Sequence, residues 1–544
     1  MINDIYGDGI ASGWKVRDAS SFAGPQVLEA DVVIVGTGAG GGTAAEILSA
    51  AGLKVLMVEE GPLKTSASFK DMDESRAFRE LYQEAAGRTT SDGAIGILQG
   101  RAVGGTTTVN WTSSFRTPPE TLKHWAAQHS VKDSSVDAMA PWFQKMEERL
   151  GVAPWGMAPN ANNETLKRGC EKLGWEWHVI PRNVRGCMNS GYCGFGCPVN
   201  AKQSMLVSTI PAALKNGAEL VHHLRVQELF FSSGTVRHMT ALALDRDCIE
   251  PTGVQVEIRA RHYVLAGGAI NTPALLLRSN VPDPGRRVGQ RTFLHPVPIM
   301  LAQMPGAVNG WYGAPQSIAS DEFQWKHDTG DAPGFKMEVP YIQPMFSSIL
   351  LGHGRVLAED LAQLHRTQIT LALLRDGFHR DSPGGTVRVD ASGAALLDYD
   401  VSWYLWRGVR EAFMRMAQAQ FAAGALRVKP AHLDAHWCSS WKEAEDMIER
   451  LPYKKFRCAL NTAHQMGGCA MGEDTQEAVA DSYGRHHHAQ NLSIFDGSLF
   501  PTSIGANPQL SIYGFSARNA TRLAQQMSGT KSSAQSAPDH KPNS

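Results

Sequence analysis

The chain has 544 residues, and its 52 Lys and Arg residues are balanced by 53 Asp and Glu residues. This near-neutral balance argues against a nucleic-acid binder, because neutralising phosphates requires an excess of basic residues. Hydrophobic residues make up 43% of the chain and charged residues 19%, which excludes a chain that is disordered throughout. A chain of this length is expected to form two or more domains.

The sequence gives no sign of a membrane anchor. It has no apolar run of about 18 residues or more, so no membrane-spanning helix is predicted. The segment MINDIYGDGIASGW has no basic region followed by an apolar core, which is not the pattern of a secretory signal. We therefore expect a cytoplasmic protein, with export in complex with a partner subunit left open.

Patterns along the chain predict alternating strands and helices. Residues 31–35 (DVVIV) and 53–59 form apolar runs typical of buried strands, and residues 43–51 between them are typical of a helix. Together they predict one β–α–β unit. Further on, a strand is expected at 261–266, a helix around 273–277 and a hairpin at 384–400. Helices are predicted around 405–423, where apolar residues share one face, and over 512–527.

A glycine-rich loop, Gly-Thr-Gly-Ala-Gly-Gly at 36–41, joins the first strand to the helix. Gly36 allows the tight turn, Gly38 lets a pyrophosphate approach the backbone, and Gly41 lets the helix and strand pack closely. Glu59 ends the next strand, where a carboxylate can bind a ribose hydroxyl. The pattern predicts a dinucleotide site without separating FAD from NAD.

Five further segments resemble the signatures of one family. They are GRAVGGTTTVN at 100–110, VLAGGAINTP at 264–273, HQMGGCAMG at 464–472, NLSIFDGSLFP at 491–501 and GANP at 505–508. In this order they resemble the glucose–methanol–choline (GMC) oxidoreductases, flavoproteins that oxidise alcohols. The resemblance runs from about residue 30 to 527 and is weaker between about 305 and 437, so it leaves the substrate undecided.

The resemblance implies an α/β fold, with a Rossmann-like FAD-binding domain and a discontinuous α+β substrate domain built from an antiparallel sheet and helices. The FAD-binding domain would comprise residues 1–115, 186–300 and 455–527. The substrate domain would comprise residues 116–185 and 301–454. Residues 528–544 are polar and rich in Ser and Pro, and they are expected to form a disordered tail.

The resemblance also implies which residues bind FAD. Those at the ADP half are Gly36, Gly38, Gly41, Glu59, Val226 and Gly268. Those along the pyrophosphate, ribityl chain and isoalloxazine are Arg101, Gly104, Gly105, Thr106, Asn110, Asp496, Gly497, Asn507 and Pro508. Some relatives attach FAD covalently through a histidine just before the asparagine that matches Asn110. Val109 occupies that position, so non-covalent FAD is predicted.

Two residues are predicted to act on the substrate hydroxyl group. His464 is the candidate base, because the usual pKa of a histidine, about 6.5, lies near working pH. Asn507 is the candidate that orients the oxygen, because its amide can form a hydrogen bond without carrying charge. His295, in the sequence Phe-Leu-His-Pro, also matches a recurrent family position and is interpreted as structural.

Cys187, Cys193 and Cys197 are clustered in RGCMNSGYCGFGCP, and this cluster has two interpretations. Three cysteines among glycines fit an iron–sulfur turn and resemble the [3Fe–4S] subunits of GMC-type membrane sugar dehydrogenases. Long-chain alcohol oxidase-like members have a similar GYCGFGCP segment followed by AKQS, as at 201–204, where the cysteines only shape a loop. Zinc would want a fourth ligand, and none is obvious.

The predicted function is FAD-dependent oxidation of an alcohol to an aldehyde or ketone, with the hydride passing to flavin N5. The apolar segment 340–351 suggests a pocket for a hydrophobic alcohol, and an internal strand or a membrane-facing surface are its other interpretations. Oxygen, a quinone or a cytochrome could accept the electrons. The alternative functions are a flavin/iron–sulfur sugar-type dehydrogenase subunit with a small or cytochrome partner, and a non-redox lyase on the same scaffold.

Overall fold

The computed structural model describes residues 2–326 and 330–529, and its first sheet is built around the predicted β–α–β unit. The strand Gln26–Val35, the helix Ala39–Ala50 and the strand Val55–Val58 confirm that unit. Residues 32–34 are fully buried, as expected where both faces of a parallel sheet are covered. The strand order across the sheet is Lys15–Asp18, Glu219–His222, Val55–Val58, Gln26–Val35, Pro251–Leu265, Thr235–Leu244 and Leu224–Ser232, with Leu492–Ile494 beside Pro251–Leu265.

This sheet is parallel up to the strand Pro251–Leu265, and the next two strands are antiparallel. The predicted strand at 261–266 corresponds to the end of the longer strand Pro251–Leu265, which is followed by the helix Gly268–Arg278. The carboxyl ends of Gln26–Val35 and Pro251–Leu265 lie side by side, with Val35 opposite Leu265. This edge of an open α/β sheet is the usual place for a ligand.

A second sheet is antiparallel throughout. Its strands follow the order Arg427–Pro430, Ile299–Gln303, Thr367–Leu374, Phe335–Glu338, Ile318–Ser320 and His178–Val179. The helix Trp403–Ala422 packs on it with its predicted apolar face, including Leu405, Val409, Ala412 and Met416, buried. The turn of the predicted hairpin joins Thr386–Val389 to Ala395–Asp398, as expected.

The remaining elements surround these two sheets. The other helices are Ile5–Ala11, Ser66–Phe69, Glu74–Leu81, Pro119–Gln128, Val136–Leu150, Ala161–Leu173, Thr209–Lys215, Gly354–Ala362, Trp441–Arg450 and Gln509–Ser528. The other strand pairs are Ile95–Ile97 with Leu460–Thr462, Val152–Pro154 with Pro181–Asn183, and Thr292–Leu294 with Gln465–Gly467. In the described ranges, every helix is too short or too polar to cross a membrane.

Two sequence-based expectations differ from the observed elements. The apolar segment 340–351 is not a strand, because it runs irregularly into the 3-10 helix Met345–Leu350. The last helix extends to Ser528, the first residue of the predicted tail, and residues 530–544 lie outside the described residues. The mixed α/β fold class is confirmed, whereas the domain boundaries stay a prediction.

Candidate active site

A cavity of 1260 Å³ lies between the carboxyl ends of the first sheet and one end of the second. It is larger than most small-molecule sites, which occupy roughly 300–1,000 Å³. The glycine-rich loop and Glu59 line one part of it, whereas His464 and Asn507 line another. The cavity therefore has the size and position for a dinucleotide together with a second, smaller molecule.

Gly36 and Gly41 of the loop are required by close backbone contacts. Gly36 has φ +94°, and a Cβ atom there would lie 2.5 Å from the carbonyl oxygen of Ala266. A Cβ atom on Gly41 would lie 2.0 Å from the carbonyl oxygen of Gly36, so this glycine serves packing behind the cavity wall. Gly105 brings the second glycine segment against Gly38, since a Cβ atom on Gly105 would lie 2.7 Å from the Gly38 Cα. A Cβ atom on Gly38 would meet nothing nearer than 3.9 Å, and Gly38 borders the cavity, so the helix N-terminus is open to an anion there.

Glu59 is buried at the end of its strand and lines the cavity. Its carboxylate accepts hydrogen bonds from Thr37 N (3.0 Å), Thr37 Oγ1 (2.7 Å) and Gly61 N (3.0 Å). Burial nevertheless raises the pKa of Glu59 above its usual range. A carboxylate has about four acceptor positions, so one remains for a ribose hydroxyl.

Most of the predicted cofactor residues border the same cavity. These are Gly36, Gly38, Glu59, Arg101, Gly105, Thr106, Asn110, Val226, Gly268, Asp496, Gly497, Asn507 and Pro508. Gly41 and Gly104 lie behind its wall, and Val109 lines it at the position where some relatives carry a histidine. Asp496 accepts hydrogen bonds from Gly268 N (2.8 Å) and Thr272 Oγ1 (2.7 Å), which joins the C-terminal segment to the sheet edge.

The ring of His464 borders the cavity and contacts a second histidine behind it. His464 Nδ1 lies 3.0 Å from His295 Nδ1, and Gly505 N donates to His295 Nε2 at 3.2 Å. Burial lowers the pKa of His464 to about 4 and lowers that of His295 as well, so both rings are neutral at neutral pH. His295 is therefore a direct partner of His464 as well as a packed residue.

Asn507 belongs to a buried polar cluster beside the cavity. Its Nδ2 donates to Glu338 Oε2 at 3.2 Å, and Gln316 Nε2 donates to the same oxygen at 2.6 Å. Ser113 Oγ donates in turn to Gln316 Oε1 at 2.9 Å. Glu338 is fully buried, and burial raises its pKa to about 7.

The cavity wall near these polar groups is apolar. Ile299 and Leu371 face each other across neighbouring strands of the second sheet and line the cavity with Val297, Leu373 and Pro340. Ile342, Ile349 and Leu350 pack behind them in one cluster, so part of the apolar segment 340–351 supports this wall. Such a wall offers apolar contacts to a bound molecule, with the polar partners confined to a few positions.

The three clustered cysteines lie on a loop away from the cavity wall and are partly buried. Their sulfur atoms are not all within 4.8 Å of one another, whereas a single ion with Zn–S bonds of about 2.3 Å requires this proximity. These distances argue against a single ion bound by all three sulfur atoms. They do not test an iron–sulfur cluster, which is larger. Arg182 Nη2 donates to the Cys193 sulfur at 3.5 Å, and Lys202 N donates to the Cys197 sulfur at 3.5 Å.

Lys202, from the AKQS segment, joins this loop to the cavity. Its Nζ donates to the carbonyl oxygens of Thr108 (2.6 Å), Asn110 (3.0 Å) and Cys193 (2.7 Å), which uses all three of its hydrogens. Burial lowers the pKa of Lys202 to about 8. The cysteine loop is thereby held against the segment that carries Asn110.

Sequence reasoning missed several polar residues of the site. Glu338 and Gln316 lie in the region where the resemblance is weakest, and no local motif marks them. Gln509 accepts a hydrogen bond from Asn110 Nδ2 at 2.7 Å and follows Pro508 directly in the chain, which is the one signal that could have indicated it.

Comparisons with known proteins give the family. Sequence profiles described as GMC oxidoreductase match residues 78–297 and 382–516. An uncharacterized GMC-type oxidoreductase of Mycobacterium tuberculosis is 30% identical over 93% of this chain and 78% of its own length. Long-chain-alcohol oxidase FAO4B of Arabidopsis thaliana is 29% identical over 89% of this chain and 66% of its own length.

Solved structures share the fold at low sequence identity. Formate oxidase of Aspergillus oryzae RIB40 matches with a TM-score of 0.68 and 15% identity, over 92% of this chain and 99% of that one. Pyridoxine 4-oxidase from Mesorbium loti matches with a TM-score of 0.63 and 18% identity, over 90% and 98% of the two chains. The chain belongs to the GMC oxidoreductase family, a family of FAD-binding oxidoreductases.

Proposed function

We propose that this protein binds FAD non-covalently and oxidises a hydrophobic alcohol to an aldehyde or ketone. The observation that carries the proposal is the position of His464 and Asn507. Both border the cavity that the glycine-rich loop also lines, and Val297, Ile299 and Leu371 line the same cavity. A hydroxyl group can meet two polar partners there while the rest of the molecule contacts apolar side chains.

The residues around the cavity fit FAD. The open helix N-terminus after Gly38 would receive the pyrophosphate, and the free acceptor position of Glu59 would receive a ribose hydroxyl. Asn110, Asn507 and Pro508 would lie at the flavin ring. Bound FAD supplies the acceptor of the hydride at N5. The chain supplies the base, the orientation of the alcohol and a dry environment.

His464 is the proposed base, and it takes the hydroxyl proton at Nε2. Burial lowers its pKa to about 4, which keeps the ring neutral over the working range of pH but makes it a weaker base than the ordinary histidine expected from the sequence. Nε2 is free to accept only when the ring hydrogen is on Nδ1 and is donated to His295 Nδ1. The hydrogen bond from Gly505 N to His295 Nε2 opposes that tautomer, because two buried N–H donors would then face each other, and a single unpaired buried donor already costs about 1–3 kcal/mol. The proposed base therefore works from the less favoured tautomer of this histidine pair.

Asn507 is proposed to hold the substrate oxygen. Its amide is buried and borders the cavity, so it can bond the oxygen without competition from water. The apolar wall would then place the carbinol carbon toward the flavin. The name of the Arabidopsis relatives, long-chain-alcohol oxidase, supports an alcohol with a long apolar chain as the substrate class.

The cysteine loop is proposed to be structural. Lys202 fixes it through backbone carbonyls, which needs no metal. A [3Fe–4S] cluster relaying electrons to a cytochrome or quinone is the alternative, and iron analysis separates the two.

A substrate panel tests the proposed activity. Purified protein is given aliphatic alcohols of increasing chain length, benzyl alcohol and glucose, with oxygen or a quinone analogue as the acceptor. We expect kcat/KM to rise with chain length and glucose to be oxidised least. A preference for glucose would contradict the apolar site. Cleavage of a cyanohydrin without any net oxidation would indicate the lyase instead.

A further inference from the structure

The buried atoms around Asn507 are incompletely paired. Asn507 Nδ2 and Gln316 Nε2 both donate to Glu338 Oε2, whereas Asn507 Oδ1 and Glu338 Oε1 have no hydrogen-bond partner among the described residues. An ionised carboxylate can only accept hydrogen bonds, so it attracts the NH₂ group of an asparagine. The Asn507 oxygen is then turned away from Glu338.

That orientation suits the resting hydroxyl group but opposes the reaction. When the hydroxyl proton leaves, negative charge develops on the substrate oxygen, and a hydrogen-bond donor is needed beside it. The Asn507 oxygen would instead place a second acceptor there. Half a turn about the bond to the amide carbon exchanges the two ends, and the N and O atoms of an amide are told apart only by their partners. This rotation breaks only the contact with Glu338.

We infer, on the basis of the proposed function, that Glu338 is a positioning residue. In its protonated form it donates a hydrogen bond from Oε2 to Asn507 Oδ1, so that the Asn507 NH₂ group faces the substrate oxygen. Gln316 Nε2 continues to donate to the same carboxyl oxygen. Loss of the Glu338 proton turns the amide over and removes the donor from the substrate.

The surroundings of Glu338 keep this proton available near neutral pH. The side chain is fully buried on the strand Phe335–Glu338, opposite Ala319 and Leu371 on the neighbouring strands. The charged groups that act on it are Lys336, two residues before it on the same strand, and Asp321, whose Oδ1 lies 2.6 Å from Lys336 Nζ. Lys336 favours the ionised form and Asp321 opposes it, while burial is the largest influence and raises the pKa to about 7.

The test is the pH dependence of flavin reduction by an alcohol in the FAD-loaded enzyme without oxygen. In the unsubstituted protein, the rate should fall about tenfold between roughly pH 7 and pH 9 as Glu338 ionises. In Glu338→Gln, the introduced amide can donate to Asn507 at every pH, so the alkaline fall should disappear. Glu338→Ala lacks the donor, so its rate should be low at all pH values. An alkaline fall that persists in Glu338→Gln would overturn the inference.

Two further measurements separate the inference from the proposed function and from folding effects. The infrared difference spectrum between the unsubstituted protein and Glu338→Gln, both at about pH 6, should show the carbonyl band of one protonated carboxylic acid. This result does not depend on whether an alcohol reduces the flavin. Absence of that band at pH 6 overturns the inference alone. Gln316→Met removes a donor that stabilises the carboxylate, so it should move the alkaline fall to higher pH. Glu120→Gln, an exposed carboxylate, should leave the fall where it is.

Discussion

His295 and His464 meet through their Nδ1 atoms, 3.0 Å apart, although 169 residues separate them in the chain. One of the two nitrogens must carry a hydrogen. If His295 carries it, His464 holds its own hydrogen on Nε2, facing the cavity, and can only donate to the substrate. If His464 carries it, Nε2 is free to accept the hydroxyl proton. The position of this hydrogen therefore determines whether His464 donates a hydrogen bond to the substrate or accepts its proton.

Two substitutions of His295 distinguish these roles. His295→Gln can accept from Gly505 and donate to His464 Nδ1, which holds the hydrogen of His464 on Nε2. His295 itself forms these two hydrogen bonds in its favoured tautomer, and the amide of Gln can turn over much as the ring hydrogen can move, so we expect the rate of flavin reduction to stay within about tenfold. His295→Glu accepts from His464 Nδ1–H and should keep the rate. It should also raise the pKa of His464 and with it the acidic limit of activity.

A slow His295→Glu variant would contradict the assignment of His464 as the base. If His295→Gln is as fast as the unsubstituted protein and His295→Glu is slow, then His464 acts by donating a hydrogen bond. Visible spectra of both variants should show bound flavin, which separates a tautomer effect from loss of the cofactor.

Removing the proposed base gives a second prediction. His464→Ala should lower turnover by roughly 10²–10⁴ and leave FAD bound. Because burial lowers the pKa of His464 to about 4, the unsubstituted protein should lose activity through this group only as the pH falls toward 4. His353→Ala, at an exposed position, is the matched control and should behave like the unsubstituted protein. Turnover of His464→Ala within about threefold of the control would remove the assignment.

The local parts of the fold and of the site could be predicted from the sequence. The unit of residues 31–59 is encoded by an apolar run, a glycine loop and a second apolar run, all within about 30 residues of each other, as in other β–α–β units. His464 and Asn507 lie in segments that resemble family signatures, and both border the cavity. In these places the residues that form the recognisable motif and the residues proposed to act in the site lie in the same short segment.

The partners of those residues could not be predicted in this way. Glu338 reaches Asn507 across 169 residues of chain, and it lies on a strand whose local sequence resembles any buried strand. The contact exists only because the second sheet brings that strand to the cavity. His295 was expected to be structural for the same reason, since nothing near it in the sequence indicates His464.

Lys202 gives a third prediction, on stability and cofactor retention. Lys202→Met leaves three buried carbonyl oxygens without their donor, and each unpaired group costs about 1–3 kcal/mol. We expect a destabilisation of roughly 3–5 kcal/mol in urea unfolding and faster release of FAD, because Asn110 loses its support. Lys215→Met, at an exposed position, should change stability by less than about 0.5 kcal/mol. Equal stability of the two variants would show that the Lys202 contacts contribute nothing.

The cysteine loop gives a fourth prediction. The protein with Cys187, Cys193 and Cys197 all changed to serine should keep its flavin spectrum and its turnover within about threefold, because the proposed loop needs no metal. Iron analysis of the unsubstituted protein should find far less than one iron per flavin. About three irons per flavin, with loss of electron transfer in the triple variant, would instead support the [3Fe–4S] alternative.

The central claim is that an alcohol gives a hydride directly to the bound flavin. The most direct measurement mixes the FAD-loaded protein with dodecanol in the absence of oxygen and follows the flavin absorbance. We predict complete bleaching within one turnover, slowed severalfold when the carbinol carbon carries deuterium. A flavin that stays oxidised with dodecanol, benzyl alcohol and glucose alike would contradict the proposed function.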